Sequence, residues 1–270
     1  MLRCGLHWQP TAVDRVIEIY PTSTRVAKVK TNAGTAFLKG MGNPAGNQSL
    51  AMELVGAEMA SSLGLFVPNF AVLELAEIEI PMLDHGTIAF GPAFVSSEVP
   101  CITSDGSPNL LARLSEPSDI ALLVIFDTWI RNLDRCPPPD YLDPEPRRDN
   151  LCFTRDGAKL KLMVIDHSHC FVEGAIEDEI GSPHFVDDAR IYGRFPEFEA
   201  YLKEAPLRRA VAKMTSIDAA TIAEIVNSIP SAWGPSQQTR DMWIAQLMAR
   251  QLHIATSAID TLVPQGQMDV

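Results

Sequence analysis

The sequence predicts an α+β fold in two lobes: a small antiparallel sheet with one helix over residues 1–98, then a mainly helical lobe over 99–270. Two patterns and one motif point there. The front of the chain alternates apolar and polar residues between tight turns, with one segment of helical period. From Glu173 onward the pattern is helical. Between these regions lies an Asp-Gly turn, the strongest short-range signal of a β-hairpin.

Each element follows from its residues. Val13 to Tyr20 alternates, and Pro21-Thr22-Ser23-Thr24 turns the chain. Arg25 to Lys30 alternates again, Asn32-Ala33-Gly34 is a second turn, and Thr35 to Lys39 is a third strand. These three strands form a meander. Gly40 to Asn47 is a loop. A helix begins at Ser49, where Leu50, Leu54 and Ala57, and Met52, Val55 and Met59, recur at spacings of three and four. Gly64 should end it in a left-handed C-terminal cap. Phe70 to Ile80 reads as strand. Gly91-Pro92 interrupts Ile88 to Val99, which leaves only a short strand at Phe94-Val95 linking the lobes. Ser118 to Ile130 is a helix apolar on all sides and therefore buried. Cys136 to Asp149 holds five prolines and excludes regular structure. Leu151 to Thr154 and Lys159 to Ile165 pair through Arg155-Asp156-Gly157. The helices expected after that are Phe195–Leu202, Leu207–Met214, Ala219–Ile229 and Asp241–Leu262, with Trp233 as a packing anchor between helices.

Composition excludes several classes of function. The chain has 270 residues, 46% hydrophobic and 21% charged, with no apolar run of membrane-spanning length. Met1 to Pro10 lacks the pattern of a secretory signal. The formal charge of −12 argues against non-specific nucleic-acid binding and against docking on an anionic membrane. Five widely spaced cysteines without a C-x-x-C speak against a disulfide framework or structural zinc and for a reducing, cytoplasmic setting.

The polar residues at element ends carry the chemistry. Lys39 closes the third strand, and Glu53 follows it in the first turns of the helix. A helix packed on a sheet can bring such a pair together and aim an ammonium at nucleotide phosphates. Glu58 on the same helix is the alternative partner, and the motif match favours Glu53. Asp134 leaves the buried helix on a loop, where a catalytic carboxylate is well placed. Asn150 and Asp166 flank the Asp-Gly hairpin, so their backbones should meet. An amide oxygen and a carboxylate there make a hard pair suited to Mg²⁺.

Lysine, helix glutamate, loop aspartate, asparagine and aspartate, in this chain order, are the parts of a bilobal kinase. Phe126-Asp127-x-x-Ile130-x-Asn132-x-Asp134-Arg135, Asp149-Asn150-Leu151 and Ile165-Asp166-His167-Ser168 resemble the HipA-like kinases, of the shorter stand-alone type. These are related to phosphatidylinositol 3-/4-kinases within the protein-kinase-like superfamily. Met52-Glu53-Leu54-Val55 through Leu63-Gly64-Leu65-Phe66-Val67-Pro68 resembles the N-lobe helix of that family and the strand after it. The resemblance implies a bilobal protein-kinase-like fold and an ATP/Mg²⁺-dependent phosphotransferase acting on Ser or Thr of a protein. It implies Lys39 on the α/β-phosphates, Glu53 pairing with Lys39, Asp134 as catalytic aspartate, and Asn150 and Asp166 on Mg²⁺. It also sets Thr22-Ser23-Thr24-Arg25 at the phosphate loop, whose amides and hydroxyls can form an anion nest. Because the family includes toxins of toxin–antitoxin pairs, an antitoxin or other regulatory protein is an implied partner.

The chain departs from ordinary protein kinases in having no G-x-G-x-x-G, H-R-D or D-F-G. Asn150 stands 16 positions after Asp134; the protein-kinase pattern has roughly five. The proline-rich segment fills the difference and is either a substrate-reading insert or a sign that the metal asparagine lies elsewhere. The competing functional class is therefore a pseudokinase or regulatory nucleotide-binding module. His167 and His169 beside Asp166 and Cys170 could form a zinc site, but hydrogen-bonded histidines are the better expectation. Arg147-Arg148 could meet a phosphate or an acidic substrate, or simply be solvated.

Overall fold

The computed structural model describes residues 1–142 and 144–263. A five-stranded antiparallel sheet has the order β1-β2-β3-β5-β4, built from β1 (Val13–Ile19), β2 (Ala27–Thr31), β3 (Gly34–Met41), β4 (Phe70–Leu75) and β5 (Ala89–Ser97). A second, three-stranded sheet joins β6 (Cys101–Thr103) to the hairpin β7 (Leu151–Asp156) and β8 (Lys159–Val164). Between Ser97 and Cys101 the chain passes from one sheet to the other. The helices are α1 (Gln48–Ser62), the short α2 (Pro108–Leu111), α3 (Asp119–Ile130), the short α4 (Ile176–Glu179) and α5 (Pro183–Asp187), then α6 (Glu204–Thr215), α7 (Ala219–Asn227) and α8 (Gln237–Leu262).

The expected fold is found: an antiparallel sheet with one helix, followed by a mainly helical part. The fifth strand, β5, is longer than the sequence suggests and lies between β3 and β4. Its Gly91-Pro92 step falls in a register shift, because Lys39 pairs with Phe94 but Met41 with Ala89. Pro92 lacks an N–H where β3 offers no paired partner, so a central strand tolerates it. The strand begun at Phe70 ends at Leu75 rather than Ile80. Residues 196–201 form a 3₁₀ turn rather than an α-helix, opened by a proline at its first position. Among the described residues of the proline-rich segment, Arg148 and Asp149 enter a single 3₁₀ turn that ends at Asn150.

Two helices position the site. In α1 every residue from Ser49 to Ala60 is buried, because the helix lies between the five-stranded sheet and α7. Gly64 takes a left-handed φ of 84° just after its end, as a terminating glycine should. In α3 every residue from Ile120 to Ile130 is buried against α6 and α8. Arg131 then adopts φ 51° and turns the chain sharply out of the helix. The segment between α1 and β4 meets the second sheet where Val164 N–H donates to the Phe66 carbonyl at 2.9 Å. Trp233 is buried and donates through Nε1 to the Pro92 carbonyl at 2.8 Å, so it anchors the C-terminal helices on β5 rather than on one another. No helix among the described residues is long and apolar enough to cross a membrane.

Candidate active site

Lys39 stands near the end of β3 with its side chain buried. Its Nζ donates to Glu53 Oε2 at 2.7 Å, Asp166 Oδ1 at 2.8 Å and Ser168 Oγ at 2.7 Å. These three acceptors come from α1 and from the segment after β8. Glu53 Oε2 also accepts from the Ser168 hydroxyl at 2.7 Å and from the His167 N–H at 3.0 Å. Glu58, the alternative partner, faces the other way and accepts from the Arg3 and Cys4 amides at 2.7–3.0 Å.

Asp166 has φ 59°, a left-handed conformation that aspartate tolerates better than most residues. The turn returns its carboxylate toward Lys39 while His167 and Ser168 continue under α1. That close approach depends on Gly56: a Cβ there would lie 2.4 Å from the His167 Cβ. His167 is fully buried and packs edge-on to Phe126, with ring centroids 5.7 Å apart. Neither of its ring nitrogens has a hydrogen-bond partner among the described residues, so the hydrogen-bonded imidazole expected there is found only at His169, where packing leaves room for Ser23. Among the described residues, no group of three or more His, Cys, Asp or Glu side chains is assembled to hold a metal, which leaves the His167/His169 zinc alternative without support.

The second group of residues is fixed by a buried arginine. Arg135 Nε donates to Asp127 Oδ2 at 2.9 Å, and both side chains are almost inaccessible. The same guanidinium donates to the carbonyls of Asn150 and, at 3.1 Å, Ile165. One side chain thus ties the loop after α3 to both outer ends of the hairpin. Asn132 links Asp127 Oδ1, at 3.0 Å, to the Asp134 amide, at 3.2 Å. Asn150 Nδ2 donates to Asp134 Oδ2 at 2.9 Å and to the Asp134 carbonyl at 3.1 Å. Both neighbours are oxygens, so the amide nitrogen must face them, leaving Asn150 Oδ1 for another ligand. The long gap between Asp134 and Asn150 therefore does not separate them in space.

Burial opposes the charge on Lys39, but Asp166 and Glu53 outweigh it and raise the lysine pKa. Burial likewise works against the Glu53 carboxylate, yet Lys39 holds its pKa well below the usual carboxylate range. Asp166 is also lowered, the Lys39 ammonium overcoming burial and the charge of Glu53. Asp134 shifts the other way: burial first, then the nearby Asp166 charge, raises it. The two aspartates at one mouth are thus biased in opposite directions, one toward holding a cation and one toward accepting a proton.

Two cavities meet at Asp166. One, of about 420 Å³, is walled by Val26, Phe37, Phe70 and Phe94, with Lys39 at its polar end. The other, of about 500 Å³, is lined by Thr22, Ser23, Asp134, Arg147, Asn150 and His169. Ser23 Oγ lies 2.7 Å from His169 Nε2, so the turn after β1 reaches across to the segment after β8. Thr24 is buried and does not line either cavity, unlike Thr22 and Ser23. Lys39, Glu53 and Asp166 thus form one cluster and Asp134 with Asn150 a second, adjoining one. The roles of Ser168 and the Arg135 strut are not signalled by the sequence patterns. For Gly56 the available signal is a lone glycine inside an apolar helix.

A model of the HipA-like kinases matches residues 26–258. The chain belongs to the HipA-like kinase family. Among solved structures it is similar to a Helicobacter pylori proinflammatory kinase, CtkA, with a TM-score of 0.60 and 14% identity over 94% of this chain and 98% of that one. That likeness shows a shared kinase fold. No curated protein sequence matches the chain. As a HipA-like kinase it is a kinase-type phosphotransferase, and kinases in general use ATP and a metal ion. The residues present fit both. The apolar cavity suits a nucleobase. Asp166 and Asn150 offer a carboxylate and an uncommitted amide oxygen, the sparse hard-oxygen set that Mg²⁺ takes when it keeps waters and phosphates as its other ligands.

Proposed function

We propose that this HipA-like kinase transfers the γ-phosphoryl group of ATP to a Ser or Thr hydroxyl of a protein. The observation that carries it is the convergence of Lys39, Asp166, Asn150 and Asp134 on two cavities that share one wall. When bound, magnesium and ATP supply the transferable group and neutralise its charge. The protein's part is mainly positioning and electrostatics. Val26, Phe37, Phe70 and Phe94 exclude water around the base. Lys39, oriented by Glu53 and Ser168, presents its ammonium to the phosphates. Thr22 and Ser23 offer hydroxyls to the same charge, and Asp166 and Asn150 hold the metal. Asp134, whose pKa is raised, orients the acceptor hydroxyl and takes its proton at the carboxylate. The assignment of the acceptor to a protein Ser or Thr follows the family likeness.

One observation favours a second reading, a pseudokinase that binds nucleotide without transfer: both carboxylate oxygens of Asp134 are engaged, Oδ2 by Asn150 and Oδ1 by Arg147. The same experiment decides between them. Purified protein is incubated with γ-labelled ATP, Mg²⁺ and a mixed protein acceptor, alongside Asp134→Ala and Asp166→Ala. Labelled acceptor that disappears in both variants supports phosphotransfer. Undiminished labelling in either variant refutes the residue assignment, and no labelling by any form supports the pseudokinase.

A further inference from the structure

The proline-rich segment 136–149 has no part in the mechanism above, yet three of its residues, Tyr141, Arg147 and Asp149, line the cavity that holds Asp134. We propose that Tyr141, Arg147 and Asp149 form an acceptor-recognition wall and that Arg147 selects hydroxyl acceptors bearing a negative charge, a carboxylate or a phosphate, beside the hydroxyl. The proposal rests on the phosphotransfer assignment and names its substrate class.

Four observations support it. First, the two consecutive arginines have different surroundings. Arg148 is clamped to the buried Glu197 by two bonds of 3.0 and 3.1 Å and fixes the end of the segment to the helical part. Arg147 keeps 57% of its side chain exposed. Second, the backbone of Arg147 is rigidly set: its N–H donates to the Arg135 carbonyl at 2.9 Å, and its carbonyl accepts from the Asn150 N–H at 3.1 Å. An exposed guanidinium on a fixed Cα suits recognition of an incoming group. Third, among the described residues lining the mouth, Arg147 is the only lysine or arginine, while Asp134, Asp149, Asp166 and Glu173 are acidic. These carboxylates repel an anionic acceptor, so any selection of one rests on Arg147, and a substitution at this position is decisive. Fourth, Arg147 Nε sits 3.2 Å from Asp134 Oδ1. An acidic group that draws the guanidinium away also frees the oxygen that the proposed base needs, so charge recognition and release of the base are one movement. A planar guanidinium serves carboxylate and phosphate equally.

The test measures binding and transfer separately. Fluorescent peptides carrying one serine flanked by Glu, by phosphoserine or by Lys are titrated into wild type, Arg147→Lys, Arg147→Gln and Arg147→Glu, with Mg²⁺ and a non-hydrolysable ATP analogue present. The wild type should bind the Glu and phosphoserine peptides about tenfold more tightly than the Lys peptide, a difference of about 1.4 kcal/mol. Arg147→Lys should keep part of this preference, Arg147→Gln should flatten it, and Arg147→Glu should invert it. Equal or absent binding of the three peptides by wild type overturns the proposal, as does a preference that survives unchanged in Arg147→Glu. Labelled phosphate transfer by wild type is scored in parallel. Its loss counts against the kinase assignment alone, because peptide selectivity is read without turnover.

Discussion

Replacing Gly56 by alanine is the most discriminating test of how the site is built. The substitution adds one methyl group on α1, one turn after Glu53. Built on the existing backbone, that methyl would lie 2.4 Å from His167 Cβ, 2.6 Å from Cγ and 3.1 Å from Cδ2. Ordinary carbon contacts begin near about 3.5 Å, so the helix and the His167 segment must separate by about 1 Å. Two energies oppose each other in the folded state. Alanine favours the helix over glycine by about 1 kcal/mol, and overpacking costs about 1–3 kcal/mol. The net change is at most about 2 kcal/mol, a few degrees in Tm for a chain of this size. The chemistry should suffer far more. The same separation stretches the Ser168–Glu53 and His167–Glu53 bonds, now 2.7 and 3.0 Å, and moves Asp166 relative to Lys39. A displacement of about 1 Å in reacting geometry can cost 10²-fold. Gly56→Ala should therefore fold, lose a few degrees in thermal denaturation and fall about a hundredfold in kcat/KM for labelled-phosphate transfer. Turnover within twofold of wild type would show that α1 and the Asp166 segment need not approach this closely.

Three further outcomes are expected. Lys39→Met leaves two carboxylates facing each other without their cation; it should abolish transfer and destabilise the fold by about 3–5 kcal/mol at neutral pH. The pH dependence has a definite sign. In wild type the depressed Glu53 carboxyl stabilises fully above its unfolded pKa of about 4.3 and loses that contribution as pH falls toward its folded value. In Lys39→Met burial, no longer opposed by the ammonium, raises the Glu53 pKa above its unfolded value, so the variant loses stability as pH rises from about 4.3 toward that raised value. The gap in Tm between the two proteins should be widest near neutrality and narrow below about pH 4; a gap independent of pH contradicts the coupling. Arg135→Ala strands the buried Asp127 carboxylate and should lower stability by about 3–5 kcal/mol, roughly 10 °C in a melting experiment; Asp127→Asn with Arg135→Met should recover part of that loss. Asp166→Asn should abolish the increase in Tm that Mg²⁺ and ATP together give wild type; an unchanged increase places the metal elsewhere.

Much of the fold was legible because local patterns and tertiary demands agree. The β1–β3 meander, the terminating Gly64 and the Asp-Gly hairpin each announce a structure that packing then keeps. The failures occur where they disagree. Gly91-Pro92 is a strand breaker by local rule, yet β5 runs through it, because a register shift removes the hydrogen bond that proline cannot make. Phe195 to Leu202 has enough apolar residues for a helix, but Pro196 opens only a short 3₁₀ turn there. The β5 outcome is not written in the local sequence, because it depends on the neighbouring strand.

The site divides along the same line. Residues at the ends of elements were readable, since a hairpin must return Asp166 toward Asn150 and a helix after a strand can set Glu53 against Lys39. What holds them was not, because it lies in contacts between segments far apart in sequence. Arg135 is one residue from Asp134, yet what it fixes is the pair of hairpin ends, through the carbonyls of Asn150 and Ile165. That arrangement also explains how an unusually long spacing can leave Asp134 and Asn150 in contact. Arg135 receives Asn150 through its backbone and Asn150 reaches Asp134 through its amide, so geometry at the mouth is set by three bonds whatever the length of chain looped out between them. Arg148, clamped to Glu197, closes that loop on the outside. The spacing is thus free to grow, and a segment at this point arrives beside the proposed base, where Tyr141 and Arg147 line the cavity of Asp134 and not the one that holds Lys39.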